Sequence, residues 1–236
     1  MNHRLQKKIK SSNKQNFVND IFSDISKEYD FMNDLMSLGL HRVWKEQFVN
    51  LMELNSKKKV LDLATGSGDL IKLIKKKSDC ICIGYDPNIN MIKEAKKKLA
   101  NEKVSFVNGF AENIPFQENS FELVTVSFGL RNFSNIEKSL LEIKRVLKKG
   151  HKFYCLEFSQ INSFFFRKIF NSYSRIIPLY GNFFASNKEA YSYLIESIHK
   201  FPNQIELTKK LISTGFKNIE VFDVLDGLAS IHISEI

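Results

Sequence analysis

The sequence predicts an α/β fold: a mostly parallel sheet covered by helices on both faces, preceded by helices and closed by an antiparallel hairpin. Three observations predict it. A short buried-strand run, Val60-Leu61-Asp62-Leu63, leads through Gly66-Ser67-Gly68 into an apolar-periodic helix with Leu70, Leu73 and Ile74. Strand-like and helix-like patterns then alternate, as they do when parallel strands are joined by crossover helices. Near the end, two strand-like runs flank Asp226-Gly227, a turn signal that argues for a hairpin.

The elements follow in order within one expected domain, 1–236, since a chain of 236 residues has room for about one well-packed domain. Apolar positions from Phe17 to Leu54 recur at helical spacing (Phe17, Ile21, Ile25; Val43, Phe48, Leu51) and predict a helical cap over 1–55. The core, 56–159, adds strands at Cys80 to Tyr85, Val104 to Val107, Phe121 to Ser127 and Lys152 to Phe158, with helices at Met91 to Leu99 and Ile136 to Leu147. An aromatic-rich helical region covers 160–213, and the terminal strands, Phe216 to Val224 and Leu228 to His232, complete seven in 214–236.

Composition narrows the class. Hydrophobic residues make up 43% and charged residues 26%, and no apolar run approaches the roughly 18 residues of a membrane span, so a soluble or peripheral protein is expected. Lys and Arg number 35 against 26 acids, a net +9. That excess favours anionic partners, although lysine clusters such as Lys75 to Lys77 and Lys96 to Lys98 also suit solvated helix ends. Residues 1–19 hold six basic or His side chains and no acid, without a secretory apolar core; they read as a solvated basic tail, with an organellar presequence remnant as the alternative. Cys80, Cys82 and Cys155 form no CxxC pair, so free buried thiols in a reducing compartment, cytoplasm or mitochondrial matrix, are expected; no metal is.

A parallel sheet binds ligands beyond the carboxyl ends of its strands, and Gly66-Ser67-Gly68 lets a ligand approach the backbone there. A side chain at 68 is expected to fill that space. Asp62 and Asp69 frame the turn, and Asp86, ending the second strand, suits both hydroxyls of a ribose. A dinucleotide fingerprint would want glycine at Ile71, and a P-loop a Gly-Lys-Ser/Thr ending; neither is present.

The series Asp62-x-x-x-Gly66-x-Gly68, Asp86, Gly109-Phe110-Ala111-Glu112-Asn113-Ile114-Pro115-Phe116 and the strand ending at Ser127 resembles the class I S-adenosylmethionine-dependent methyltransferases, with their Rossmann-like fold. The resemblance implies that Asp62, Gly66, Ser67, Gly68, Asp86, Phe110, Ala111 and Ser127 bind S-adenosylmethionine, with Asp86 on the ribose and the backbone at Phe110 and Ala111 around the adenine. Phe110 departs from the pattern, standing where relatives usually carry Asp or Asn.

Outside the cofactor core, Tyr29-Asp30-x-Met32-Asn33-x-x-Met36-Ser37-x-x-x-His41-x-x-Trp44 resembles the first signature of the ubiquinone and menaquinone C-methyltransferase family, the UbiE type. A second signature is Arg145-Val146-Leu147-Lys148-Lys149-Gly150 running to Leu156-Glu157-Phe158-Ser159, with Lys149 in place of Pro and His151 in place of Gly, both expected in a turn before a strand. Ser127-Phe128-Gly129-Leu130-Arg131-Asn132 and Tyr191-x-Tyr193-Leu194-x-Glu196-Ser197-Ile198 match further. The family resemblance implies methylation of a ring carbon of a polyprenylated benzoquinol or demethylmenaquinol, with Arg131 as catalytic residue stabilising phenolate character, and Tyr29, Asn33, His41, Asn132 and Tyr193 as substrate-binding residues. An arginine cannot serve as a literal base, because guanidinium stays protonated below a pH of about 12. The competing arrangement is an ion pair between Arg131 and an acid such as Glu137 or Glu157.

The aromatic and basic residues from Phe164 through Arg167, Lys168, Phe170, Tyr173 and Arg175 to Phe184 suit an interfacial helix on anionic lipid or an isoprenoid channel, and equally a helix closing the core. A peripheral membrane contact, a homodimer or a quinone-biosynthesis complex are the expected partners. Nucleic acid is not: Ser127-Phe128-Gly129-Leu130 stands where an Asn/Asp-Pro-Pro-aromatic motif would serve base methylation. A non-catalytic scaffold is the remaining alternative, and Gly66, Gly68 and Asp86 argue against it.

Overall fold

The computed structural model describes residues 18–20, 23, 34, 37, 39–164, 166–168 and 188–236. Of the expected site residues, Tyr29 and Asn33 lie outside the described residues, as does the aromatic-basic stretch beyond Lys168. Helix α1 spans Leu40–Asn50 and is followed by β1, Lys59–Leu63, and α2, Asp69–Lys77. Next come β2, Ile81–Asp86; α3, Ile89–Lys98; β3, Val104–Asn108; β4, Phe121–Ser127; and α4, Ile136–Val146. The chain ends with β5, Leu147–Phe158; α5, Lys188–Lys200; α6, Gln204–Ser213; β6, Lys217–Val224; and β7, Ala229–Glu235.

The seven strands form one sheet in the order β3-β2-β1-β4-β5-β7-β6. Strands β1 to β5 pair in parallel, and β7 runs against both its neighbours. The alternation of side chains along each strand sorts the core into two layers. On β4 and β5, Leu123, Tyr154, Leu156 and Phe158 join Trp44, Phe48 and Ile71 in one cluster, while Val124, Val126, Phe153 and Cys155 join Leu140, Ile143 and Leu211 in the other. Helices on both faces explain why the central strands read as nearly continuous apolar runs. The strand order switches sides at β1: β2 and β3 lie on one side of it and β4 on the other, which opens a crevice at the carboxyl ends of β1 and β4.

One expected turn is replaced. Lys149 and His151 lie inside β5, which begins directly after α4; the register jumps from Phe121 opposite Leu147 to Leu123 opposite Lys152, so the extra residues form a bulge. Gly150, at φ 71°, supplies the left-handed residue of that bulge and donates its N–H to the Ile236 carbonyl. The hairpin matches expectation, with Leu225, Asp226 and Gly227 all at positive φ between β6 and β7. All three cysteines are buried free thiols, and no helix among the described residues is long and apolar enough to cross a membrane.

Candidate active site

A cleft opens at the crevice. Its walls come from the ends of β1 (Ala64, Gly66), β2 (Tyr85, Asp86, Pro87, Asn88), β3 (Gly109, Phe110, Ala111, Glu112) and β4 (Phe128, Gly129, Asn132, Phe133, Ser134), with Met91 from α3 and Val18 and Asn19 from the N-terminal segment.

Asp86 is the polar centre. Its Oδ2 accepts the Gly66 N–H at 2.9 Å and its Oδ1 the Asn88 N–H at 2.8 Å. Burial pushes this carboxyl up to about 6, against the pull of those two donors. Each oxygen keeps a further lone pair, so the ionised group can accept two hydroxyls as well. Asn88 follows as the cap of α3, its Oδ1 accepting from the Asn90 and Met91 N–H groups. Its Nδ2 donates to the Asn19 carbonyl at 2.9 Å and the Ser23 hydroxyl at 2.8 Å, which draws the N-terminal segment onto the cleft.

Opposite lies an apolar wall. Phe110 is half-exposed and Ala111 buried, and Tyr85 donates its hydroxyl to the Phe110 and Asn113 carbonyls, fixing the loop after β3. Burial raises the Tyr85 phenol to about 12, so it stays a donor at neutral pH. Glu112 accepts the Ser134 and Asn135 N–H groups at 2.7 and 3.0 Å and ties that loop to the start of α4. Gly129 is required by contact: a Cβ there would collide with the Ala64 Cβ across the cleft floor.

The other expected residues fall on three sides. Asp62 is buried behind the glycine turn, where Thr65 and Thr125 donate their hydroxyls to its two oxygens at 2.6 and 2.7 Å. Burial pushes Asp62 up to about 6, and its bonds staple β1, its turn and β4 together without reaching the cleft lining. Gly68, at φ 82°, starts α2, and a Cβ there would lie 2.9 Å from Leu99 Cδ1 and 3.2 Å from Ala95 Cβ. A side chain at 68 therefore meets α3, not the ligand space expected from the sequence. Beside it, Lys98 donates to Ser67 at 3.1 Å and to Asp69 at 2.5 Å, while Lys45 of α1 reaches Asp69 at 3.5 Å. The Ser127 hydroxyl is buried at the end of β4 without a hydrogen-bond partner.

Arg131 adopts the ion-pair arrangement. Its side chain is 1% exposed, and Nη1 donates to Glu157 Oε1 and to the Phe128 carbonyl, both at 2.6 Å, while Nε donates to Ser197 at 3.3 Å. The guanidinium also lies 5.4 Å from the Phe158 ring centre. The short 3₁₀ turn Leu130–Asn132 explains the division: Gly129, Asn132 and Phe133 line the cleft, and Leu130 and Arg131 turn inward. Asn132 and Tyr193 are brought together, the buried tyrosine of α5 donating to Asn132 Oδ1 at 3.1 Å. Burial raises the Tyr193 phenol to about 12. His41 is elsewhere, buried on α1 with Nδ1 2.9 Å from the Ser37 hydroxyl, and burial followed by the Lys45 charge lowers it to about 4. It is neutral at physiological pH.

Asn19, Asn88, Met91 and Glu112 line the cleft without having been singled out as site residues. Asn88 had a readable signal, an Asn two residues past a strand-end acid at a helix start; Asn19 had none.

The walls suit an adenosyl group with a flexible polar tail: a strand-end carboxylate for a ribose, an apolar surface for a base, and side-chain-free backbone at Gly66 in the lining. A model of the ubiE/COQ5 methyltransferase family matches residues 8–235. The chain is 42% identical over 237 residues to a Rickettsia rickettsii (strain Sheila Smith) protein named ubiquinone/menaquinone biosynthesis C-methyltransferase UbiE, covering 96% of this chain and 95% of the relative. The Rickettsia felis protein of the same name is 43% identical with the same coverage. Among solved structures, a SAM-dependent methyltransferase of Thermotoga maritima, described as a possible histamine N-methyltransferase, superposes with a TM-score of 0.69 at 17% identity, covering 92% of this chain and 99% of that one. That likeness shows the class I Rossmann-like methyltransferase fold.

Proposed function

Because the chain belongs to the ubiE/COQ5 methyltransferase family, we propose that its cleft carries out S-adenosylmethionine-dependent C-methylation in ubiquinone/menaquinone biosynthesis, with a polyprenylated benzoquinol or demethylmenaquinol as acceptor. The observation that carries the cofactor half is Asp86, a buried strand-end carboxyl with acceptor capacity left over in the cleft. Asp86 and the Gly66 backbone would hold the ribose, and Phe110 and Ala111 the base. Bound S-adenosylmethionine supplies an electrophilic methyl on a sulfonium sulfur.

The acceptor half rests on Asn132. Carbon attack needs an electron-rich ring, which a quinol gains as its hydroxyl loses its proton, so a donor aimed at that oxygen favours the transition state. Tyr193 donates to Asn132 Oδ1, which fixes the carboxamide so that its N–H₂ is the group left for a ligand. Arg131 is in this reading a positioning residue: through the Phe128 carbonyl and Glu157 it holds the turn that carries Asn132. Phe164 and Phe166, 69% and 48% exposed beside Arg167 and Lys168, support a peripheral contact with anionic lipid, which a greasy substrate would require.

The test is transfer of labelled methyl from S-adenosylmethionine to a short-chain demethylated benzoquinol and to demethylmenaquinol under reducing conditions. Product on either ring is expected, with Asn132→Ala lowering kcat while leaving S-adenosylhomocysteine affinity nearly unchanged. Folded, cofactor-binding protein that methylates neither ring would overturn the acceptor. Absence of cofactor binding would favour the scaffold alternative.

A further inference from the structure

The polar side chains around the cleft are almost all committed to protein partners. Asp86 accepts two N–H groups, Asn88 caps α3 and grips the N-terminal segment, Glu112 holds the start of α4, and Asn132 accepts from Tyr193. Asn19 differs from them in one respect. Among the described residues lining the cleft, it alone has a buried side-chain polar atom, Oδ1, with no hydrogen-bond partner. Its backbone carbonyl accepts from Asn88 Nδ2. That bond ties residue 19 to the Asp86-Pro87-Asn88 end of the cleft, whose lining also includes Val18, Pro87 and Met91, none with an oxygen or nitrogen acceptor in its side chain.

A buried carbonyl oxygen without a donor loses its hydration and gains nothing, so its place in a ligand cleft calls for a donor from the ligand. The terminal torsion of an Asn is soft, and no hydrogen bond holds the Oδ1 atom, so the carboxamide can turn into the cleft at little cost. An adenosyl ligand offers two kinds of donor at this end, ribose hydroxyls and the amine of the base. Asp86 is the stronger acceptor for the hydroxyls, being charged and centred on the strand end. Phe110 and Ala111, against which the base would lie, have no side-chain acceptor for its amine.

We infer that Asn19 is a specificity residue that accepts the exocyclic amine of the cofactor's purine, so that the N-terminal segment, not the loop after β3, reads the base. This rests on the S-adenosylmethionine reading above.

The test measures binding, with no turnover needed. Calorimetry on the full chain compares S-adenosylhomocysteine with its analogue carrying hydrogen in place of the 6-amino group, for the parent, Asn19→Ala and Asn19→Asp. The parent is expected to prefer the amino ligand about tenfold, the worth of one such hydrogen bond. Asn19→Ala should bind both ligands alike, at the parent's affinity for the analogue, and Asn19→Asp, which keeps an acceptor, should retain the preference. A parent that binds both equally, or an Asn19→Ala protein that keeps the preference, overturns the inference and leaves the cofactor reading standing. Equal weakening of both ligands by Asn19→Ala also overturns it, assigning the residue to the ribose. A folded parent that binds neither ligand overturns the cofactor reading and this inference together.

Discussion

Two carboxyls pushed to the same range by burial have opposite surroundings, and a pH titration can separate them. Asp62 is closed in by two threonine hydroxyls, and Asp86 meets the cleft. Both are raised from 3.8 to about 6, so the folded protein binds more protons than the unfolded chain across that interval. Their contribution therefore makes stability fall as pH rises from about 4 to about 6 and level off above. Cofactor affinity runs the other way, because ribose hydroxyls favour the ionised Asp86. S-adenosylhomocysteine affinity should drop as pH falls through about 6, and Asp86→Asn should weaken binding and flatten that dependence in isothermal titration. Arg131→Ala is expected to do more than slow turnover. It leaves the fully buried Glu157 carboxyl without its ion-pair partner, a loss of about 3–5 kcal/mol, readable as a lower midpoint in urea. The site was legible where its residues sit at strand ends in local runs: Asp86, Gly66, Phe110, Ala111 and Asn132 all line the cleft. Side-chain direction was not legible where a distant partner decides it. Arg131 turns toward an acid 26 positions on, and Asp62 toward a threonine 63 positions on.

Helix α2 shows how one position can bear two constraints at the level of an element. Gly68 must hold a left-handed φ to start the helix, and it must leave room for Leu99 and Ala95 of α3. Gly68→Ala should cost about 1–3 kcal/mol through strain and overpacking and lower the thermal midpoint, whereas cofactor affinity of the folded fraction should stay near the parent value. Normal stability of that variant would refute the packing argument. Short apolar runs made β1, β2, β4 and β5 readable, since strands buried on both faces carry few other residue types. The start of β5 was not readable, because Lys148-Lys149-Gly150-His151 has the composition of a turn and becomes strand only by pairing with β4 and β7. Helices α5 and α6 read as one helical region, and Asn203 divides them with a capping box to Glu206.

Across the whole molecule, the cleft lies at one end of the sheet, with Met91 of α3 and Val18 and Asn19 completing its walls, and Ile161 to Phe164 leave β5 at that same end. A protein of net charge +9 with Phe164 and Phe166 exposed there should bind vesicles containing anionic phosphatidylglycerol more than neutral ones. Co-sedimentation should weaken with added salt and fall further in a Phe164→Ser, Phe166→Ser double variant; equal binding by that variant would remove the contact from this face. The grip of Asn88 on Asn19 and Ser23 has a consequence for binding. Its two hydrogen bonds join positions 69 and 65 residues apart in sequence and hold Asn19 against the cleft. A nucleoside bound against Val18 and Asn19 and the grip of Asn88 would then favour one another, each strengthened by the factor it lends the other.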